Sequence, residues 1–307
     1  MNQPVDPTCG YTAAQLRAVR PPATPAGFAE FWRSSHALAA EVPLGLVQTA
    51  DGPGRRVVRF DVLGGHRVGA WLTIPSDTPR VAVVAGHGYG HPEPPVAAAP
   101  GVATLHLCMP GFSLSRSAIA PDEAARHVVH GIASRETYLL RACAANIWSA
   151  ARVLEVLFPG LPQGYTGGSF GGGMGALAAP WEPRFAAVAL AVPTFGHHPI
   201  RLQHPCAGSG EAVRRHWLRH PEVTDVLQWY DAAVAATFFS VPTLIAPAAS
   251  DPAVPPPGQW AVANAVPGGQ IHPWTTGHPT PPAEERAWGL AVAAFVRGIS
   301  GSAAAGG

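Results

Sequence analysis

The stretch Tyr165-Thr-Gly-Gly-Ser-Phe-Gly-Gly-Gly-Met174 contains the spacing Gly-x-Ser-x-Gly, with Ser169 at its centre. This spacing is typical of a serine held on a sharp turn between a strand and a helix. Glycine adopts dihedrals that a Cβ atom forbids, so small neighbours make a strained turn possible. Residues 163–166 can end a strand, and residues 171–179 can open a helix of small side chains. The competing interpretation is a glycine-rich surface loop with an incidental serine, because the bare motif often arises by chance.

Apolar segments on both sides of this motif alternate between strand and helix patterns. Short apolar or alternating runs predict strands at 55–62, 66–74, 81–85, 102–108, 163–166, 185–192, 241–247 and 269–274. Helical spacing predicts helices at 25–32, 135–158, 171–179, 258–265 and 281–297, with loops and short helices at 110–134 and 193–240.

The first two strands form a hairpin, and the later strands alternate with helices. This order predicts an α/β fold with a mostly parallel central sheet, an antiparallel N-terminal hairpin and helices on both faces. We expect a single domain over residues 1–307, in which residues 1–50 wrap the surface and residues 299–307 form a frayed tail.

Composition limits the classes of function. The chain has 307 residues, 47% of them hydrophobic, and its 20 basic residues, all arginine, nearly balance 19 acidic ones. Without a basic stripe we expect no nucleic-acid partner, and without a long apolar stretch or a signal-peptide pattern we expect no membrane partner and a cytoplasmic location. The four cysteines, Cys9, Cys108, Cys143 and Cys206, show no metal or redox spacing. We therefore expect no metal and no cofactor.

Three chemically active residues follow predicted strands, in the order Ser169, Asp251 and His278. Functional residues gather at the carboxyl ends of strands in parallel sheets, and this order is that of the serine hydrolases with such sheets. In this arrangement His278 takes the serine proton and Asp251 orients the imidazole. Two alternatives remain open at this stage. The segment Asp251-Pro252 can be a plain turn, and His272 can be the base in place of His278.

An acyl-transfer site also needs donors for the oxyanion. The backbone N–H of Phe170 follows the nucleophile, and the N–H of Tyr89 follows the strand at 81–85. We predict that these two groups form the oxyanion hole. The alternative for the second donor is an ordinary glycine-rich exit from that strand.

The remaining histidines give weaker signals. The pair His127-x-x-His130 lacks the spacing and the glutamate of a helical zinc pair, so it is interpreted as a solvated face. The others are interpreted as surface or pocket-lining residues: His197, His198, His204, His216 and His220.

These motifs together resemble the acetyl xylan esterase / cephalosporin C deacetylase family of α/β-hydrolases, from about residue 25 to about residue 297. The resemblance rests on Phe28-x-x-Phe-Trp32, His87-Gly88-Tyr89, Gly167-Gly-Ser-Phe-Gly-Gly172, Asp251-Pro252 with Pro255-Pro256, and Gly277-His278. It implies the α/β-hydrolase fold, a serine esterase or deacetylase activity, the Tyr89 N–H as an oxyanion donor and, by analogy alone, a homo-oligomer.

The chain departs from the family pattern at three places. Phe170 replaces a glutamine, Pro279 replaces a glutamate, and Pro110-Gly111-Phe112 stands where the family has Arg-Gly-Gln. These changes leave the three catalytic residues untouched and bear on the substrate. They predict a more apolar pocket formed by Tyr89, Pro110, Phe112 and Phe170.

The sequence therefore predicts a serine carboxylic-ester hydrolase that acts on a small-molecule ester through an acyl-enzyme. Lactone, thioester or peptide hydrolysis on the same triad is one alternative, and acyl transfer or cyclisation in a biosynthetic pathway is another. A catalytically silent binding protein is a further alternative, which the complete triad disfavours.

Overall fold

The computed structural model describes residues 5–90, 92–95 and 97–302, without the side chains of 300–302. In this part of the chain the strands are β1 (Val47–Ala50), β2 (Arg55–Val62), β3 (His66–Thr73), β4 (Val81–Gly86), β5 (Val102–Leu107), β6 (Gln163–Gly168), β7 (Phe185–Ala191), β8 (Thr243–Ala246), β9 (Ala248–Ser250), β10 (Gln270–Ile271) and β11 (Trp274–Thr276). The helices are α1 (Ala13–Ala18), α2 (Phe28–Glu41), α3 (Ala124–His127), α4 (Leu139–Leu157), α5 (Phe170–Ala178), α6 (His198–Arg201), α7 (Gly210–Arg219), α8 (Thr224–Leu227), α9 (Ala232–Ala236), α10 (Pro256–Ala265) and α11 (Pro282–Ser302).

One sheet of nine strands crosses the molecule in the order β1-β2-β3-β5-β4-β6-β7-β8-β10. The first three strands pair antiparallel, and β3 also pairs antiparallel with β5. From β5 to β10 every neighbouring pair is parallel. A separate parallel pair, β9 and β11, continues the chain beyond β8 and β10. The predicted mixed sheet with an N-terminal hairpin is confirmed.

Alternation along β4 shows how both faces of the sheet are covered. Val81 and Val83 pack with Val296 and Ile299 of α11 on one face. Ala82 and Val84 belong to the main core on the other face, which also contains α2, α4, α5, α9 and α10. This alternation follows the two-residue period of a strand. The parallel pairing of β4 with β6 and of β6 with β7 places the carboxyl ends of these three strands side by side at one edge of the sheet, where the loops that follow them meet.

Several predicted boundaries differ from the structure. The segment 47–50 was expected to wrap the surface but adds a strand to the sheet, and the strand predicted at 269–274 is divided between β10 and β11. The helix predicted from residue 135 begins at Leu139, after an extended Tyr138 at its N-cap. The helix predicted at 25–32 continues to Glu41, and its aromatic residues are buried as a packing anchor.

The C-terminal segment was also predicted wrongly. The expected frayed tail from residue 299 is helical as far as Ser302, and Ile299 is buried against the sheet. The reason is that α11 covers an apolar sheet face that would otherwise be exposed, so burial outweighs the weak helix propensity of Gly298. Residues 303–307 lie outside the described residues. A single domain stays a prediction, and no helix in the described part is long and apolar enough to cross a bilayer.

Candidate active site

Ser169 lies on the sharp turn between β6 and α5. Its backbone has φ 54° and ψ −113°, a conformation that L-residues rarely adopt. The turn is fixed by two hydrogen bonds, from the Ser169 N–H to the Ala191 carbonyl (2.9 Å) and from the Thr194 N–H to the Ser169 carbonyl (3.2 Å). Gly171 permits the close approach of α5, since a Cβ atom there would lie 2.7 Å from the backbone of Gly86. The motif therefore forms the strained turn that its spacing predicts.

Asp251 and His278 are joined by a hydrogen bond of 2.8 Å from His278 Nδ1 to Asp251 Oδ2. Asp251 is 1% exposed, and its other oxygen accepts from the N–H groups of Ala253 and Val254 at 2.8 and 3.0 Å. The amide of Gln259 also donates to Oδ2 at 2.8 Å. A carboxylate held by four donors has a fixed orientation, and it fixes His278 with Nδ1 protonated and Nε2 available as a base.

Ser169 follows β6 of the nine-stranded sheet, and His278 follows β11 of the separate two-stranded sheet. The loop after β4 touches the serine, because a Cβ atom at Gly88 would lie 3.7 Å from Ser169 Cβ. The His278 side chain is 33% exposed, and within the described residues Ser169 Oγ makes no hydrogen bond to it. Hydrogen bonds of this kind often tighten only when substrate is bound.

Gly277 lies directly against the carboxylate that orients His278. A Cβ atom at this position would collide with Asp251 Oδ2. We expect Gly277→Ala to move either the carboxylate or the imidazole and to lower kcat by at least about 10²-fold, since a displacement of 1 Å can have that effect. Steady-state rates with 4-nitrophenyl acetate measure it.

A matched control is Gly289→Ala in α11, where an added Cβ meets nothing within 4 Å. We expect unchanged kcat and a gain of about 0.5–1 kcal/mol in stability, because alanine favours a helix interior. Equal rates for Gly277→Ala and the wild-type enzyme would show that the close contact at Gly277 has no part in holding the acid.

The two predicted oxyanion donors belong to residues whose side chains stack. The rings of Tyr89 and Phe170 lie 4.0 Å apart at an interplanar angle of 12°. The N–H of Phe170 is the first of α5 and has no partner within the helix. This stacking joins the loop after β4 to the turn that carries Ser169.

His127 holds the stacked pair of Tyr89 and Phe170 through a hydrogen bond to the Tyr89 hydroxyl. Its Nε2 lies 3.0 Å from the Pro110 carbonyl, which can only accept, so Nε2 carries the proton and Nδ1 accepts from the Tyr89 hydroxyl at 2.9 Å. The prediction that His127 belongs to a solvated face is wrong, because the residue is fully buried. Both ring nitrogens are occupied, which explains why a polar residue is accommodated there.

His87 connects two of the loops at this edge. Its Nδ1–H donates to the Gly88 carbonyl at 2.6 Å, and its Nε2 accepts from the Met109 N–H at 3.0 Å. Burial lowers the pKa of His87, so the ring stays neutral. The loop after β4 is therefore tied to the loop after β5, which begins at Cys108.

The four residues predicted to form an apolar pocket do meet in space. Phe112 packs 5.8 Å from the ring of Tyr89, which stacks on Phe170, and the carbonyl of Pro110 holds His127. Phe112 and Phe170 are 1% and 0% exposed, so they fill a closed cluster. Their contact with substrate stays a prediction, while their packing beneath the Tyr89 loop is evident.

Comparison with known proteins agrees with this geometry. A family model described as acetyl xylan esterase (AXE1) matches residues 14–270. The chain belongs to the acetyl xylan esterase family. No curated protein sequence matches it significantly. The family match ends before His278, so the assignment of the base rests on the hydrogen bond to Asp251.

Solved structures of two acetyl xylan esterases share the fold. Acetyl xylan esterase 1 from Thermoanaerobacterium sp. JW/SL YS485 aligns with a TM-score of 0.77 at 17% identity, covering 90% of this chain and 96% of that one. The acetyl xylan esterase from Paenibacillus sp. R4 aligns with a TM-score of 0.77 at 20% identity, covering 94% and 99%. A cold-adapted esterase from an Arctic intertidal metagenomic library aligns at 0.53 and 15% identity, over 84% and 98%. As a member of the family, the chain is a serine carboxylic-ester hydrolase.

The other histidines of this esterase differ in their surroundings. His272 lies between β10 and β11, where its ring packs 6.2 Å from Trp288, and it is His278 that bonds Asp251. His198 was predicted to be a surface or pocket-lining residue, which is wrong. It is 3% exposed, and its Nε2 lies 3.1 Å from the Tyr230 carbonyl.

Two buried histidines, His127 and His198, and the half-buried His106 make the stability of the esterase depend on pH. Burial lowers the pKa of His106 to about 4, of His127 to about 4 and of His198 to about 3, from an ordinary value of 6.5. Below pH 6.5 these histidines bind protons in the unfolded chain but stay neutral in the folded chain. The free energy of unfolding is therefore highest above pH 6.5 and falls as the pH is lowered toward 4. We expect each group to remove up to about 1.4 kcal/mol per pH unit in that window.

Urea unfolding at pH 7.0, 6.0 and 5.0 measures this loss. A His106→Asn variant should show a shallower slope than the wild-type enzyme, since it has one fewer group to protonate. An unfolding free energy that stays constant between pH 7 and pH 5 would contradict the expectation.

Proposed function

We propose that Ser169, His278 and Asp251 form the catalytic triad of this esterase. His278 Nε2 takes the proton from Ser169 Oγ as the hydroxyl attacks the ester carbonyl carbon. The Asp251 carboxylate, held by four hydrogen bonds, keeps Nδ1 protonated and stabilises the imidazolium that forms. The 2.8 Å contact between His278 and Asp251 is the observation that carries this assignment.

The backbone N–H groups of Tyr89 and Phe170 are proposed to bind the oxyanion of the tetrahedral intermediate. Collapse of the intermediate breaks the bond to the alcohol oxygen, which receives the proton from His278, and leaves the acyl group on Ser169. Water then attacks the acyl-enzyme with His278 as base, which releases the acid and restores the serine.

The substrate class follows from family membership. We propose small-molecule acetyl esters, with no metal or cofactor in the reaction, since the triad and two backbone donors supply every proton and charge that the two steps need. A cytoplasmic location and a homo-oligomer stay predictions from the sequence.

Rapid mixing with excess 4-nitrophenyl acetate tests the proposed mechanism. We expect a burst of 4-nitrophenol of about one equivalent per active site, and a trapped acetyl group on the peptide that contains Ser169. The rate should fall along the series acetyl, butyryl and hexanoyl if acetyl esters are the preferred class. An acetyl group trapped on a different residue, or hydrolysis without any acyl-enzyme, would contradict the mechanism.

A further inference from the structure

Arg201, at the C-terminal end of α6, is a buried cation that has no hydrogen-bonding partner among the described residues. It is 4% exposed, and its Nε and one of its terminal nitrogens are buried and unpaired. Asp231, a buried carboxylate that acts on it through space, is already occupied by the N–H groups of His197, His198 and Ala233. An arginine stays charged in proteins, so this guanidinium has the charge of Asp231 nearby but, within the described residues, no direct ion pair or hydrogen bond to satisfy it.

The guanidinium points at the start of α7, a helix of ten residues. Its terminal nitrogen lies so close to Gly210 that a Cβ atom there would collide with it. Within the described residues, the N–H groups of Ser209 and Gly210 donate to no protein acceptor. A cation and free N–H groups at the positive end of a helix repel one another, and an anion between them removes that repulsion.

A cavity of about 810 Å³ opens beside this helix start, with Ser209 in its wall. The charged residues that line this cavity are one acid, Glu211, and three arginines, Arg214, Arg215 and Arg219. Glu211 is already paired with Arg214 and Arg215 at 3.3 and 3.0 Å. The balance of charge in the cavity is therefore positive, which favours entry of an anionic molecule.

The same region adjoins the catalytic residues. Arg201 lies 5.4 Å from the centre of the Phe195 ring, which packs 6.1 Å from the ring of Phe170 beside the nucleophile. Burial raises the pKa of the Tyr89 phenol and of the Cys206 thiol, and the Arg201 charge opposes that rise at both. The guanidinium thus acts electrostatically both on Tyr89 of the oxyanion loop and on Cys206 of the cavity wall.

The cavity wall also meets the acid loop. The N–H of Ala207 donates to the Pro252 carbonyl at 2.7 Å, directly after Asp251. A ligand held at the start of α7 is therefore next to the segment that carries the catalytic acid.

We propose that Arg201 and the first turn of α7 bind a carboxylate carried by the ester substrate. This inference rests on the proposed function of Ser169 as the nucleophile. It narrows the substrate from small esters in general to esters that have an anionic group in the acyl or the alcohol part.

Two matched pairs of substrates test the proposal on the wild-type enzyme. The first pair is mono-4-nitrophenyl adipate and 4-nitrophenyl hexanoate, with the charge in the acyl part. The second pair is 4-acetoxybenzoate and 4-acetoxybenzamide, with the charge in the alcohol part. We expect kcat/KM to favour the anionic member of one pair by about 10- to 100-fold, as for a charge-assisted hydrogen bond in a dry site. Equal values in both pairs would overturn the proposal, whereas no hydrolysis of any ester would overturn the proposed function instead.

The variant Arg201→Met tests whether the guanidinium causes the preference for the anionic ester. We expect it to abolish the preference for the anionic ester, measured as the ratio of kcat/KM within each substrate pair, since the charge contact is lost. Its melting temperature should stay close to that of the wild-type enzyme, because the lost contact with the Phe195 ring is offset by the removal of a buried charge that has no hydrogen-bonding partner in the described residues. Arg201→Lys keeps the charge and loses the planar fork, so it should retain part of the preference.

Arg152→Met is the matched control, since Arg152 is a partly buried arginine that donates to the carbonyls of Ala39 and Val42 at 3.1 and 3.0 Å. We expect it to lower the melting temperature and to keep the substrate preference. A preference that survives in Arg201→Met would overturn the proposal.

Inorganic phosphate distinguishes a bound substrate from a free anion. We expect phosphate to inhibit the anionic ester competitively in the wild-type enzyme and to have no such effect in Arg201→Met. Phosphate that raises the melting temperature of the wild-type enzyme, without any preference among the esters, would show a site for free anions and would contradict the substrate role.

Discussion

Replacing Ser169 with alanine is expected to reduce the turnover of 4-nitrophenyl acetate by about 10⁴- to 10⁶-fold. The strained turn, the Asp251–His278 hydrogen bond and the backbone donors remain, but no atom is left to form the acyl-enzyme. The remaining rate should still exceed that of water alone, because an oxyanion hole and substrate binding contribute without the nucleophile. Initial rates and the burst amplitude measure the loss.

Ser149→Ala is the matched control for that experiment. Ser149 is a fully buried serine of α4 whose hydroxyl has no hydrogen-bonding partner among the described residues. Its replacement shows what the loss of a non-catalytic serine does to the rate. We expect wild-type rates in this variant and labelling by an organophosphonate at Ser169. Labelling that persists in Ser169→Ala, or a Ser169→Ala rate within tenfold of wild type, would refute the nucleophile assignment.

The parts of the fold that the sequence predicts well have a strong local signal. The hairpin of β2 and β3 follows from two alternating runs around Gly64-Gly65, and β4 follows from an uninterrupted apolar run. The turn at Ser169 follows from its glycines together with the strand predicted before it and the helix predicted after it. In these segments the local pattern and the tertiary packing favour the same structure.

The boundaries that were predicted wrongly depend on contacts between distant segments. The strand β1 exists because 47–50 pairs with β2, and its own sequence carries little strand signal. The helix α11 continues past Gly298 because Ile299 packs on Val81 and Val83 from the other end of the chain. Both β1 and the last turn of α11 are stabilised by contacts with distant segments, and a short window of local sequence carries no information about such contacts.

The candidate site likewise has residues that the local sequence predicts and residues that depend on contacts between distant segments. The residues of the proposed triad could be named from the sequence, because each follows a strand and each residue type has a defined chemical role. The residues that hold them could not. Gln259 is eight positions from Asp251 and follows no motif, and His127 carries the spacing of a weak metal pair while its actual contacts are Tyr89 and Pro110. Positioning residues act through geometry, which residue type alone does not record.

The same positioning makes Asp251→Asn a severe change, although the two side chains have the same shape. One oxygen of Asp251 accepts from Ala253 and Val254, so the oxygen of an asparagine would remain there and its NH₂ would face His278 and Gln259. Gln259 cannot rotate its amide to adapt, because its own oxygen accepts from the Ala248 N–H at 2.8 Å. The NH₂ group, itself a donor, would therefore face two donors, His278 Nδ1–H and the Gln259 amide, for which the carboxylate oxygen is the acceptor.

His278 would respond to that change by moving its proton. With an NH₂ group opposite, the ring is stable only with Nδ1 as acceptor and the proton on Nε2, and a protonated Nε2 cannot take the proton of Ser169. We expect Asp251→Asn to lower kcat by about 10⁴-fold at neutral pH, as a wrong tautomer does in other triads, while KM changes little. Steady-state kinetics measure it, and Asp122→Asn, in an exposed ion pair with Arg116, should keep the wild-type rate. An Asp251→Asn enzyme with more than a tenth of the wild-type kcat would mean that His278 does not depend on this carboxylate, and a different acid would have to orient the base.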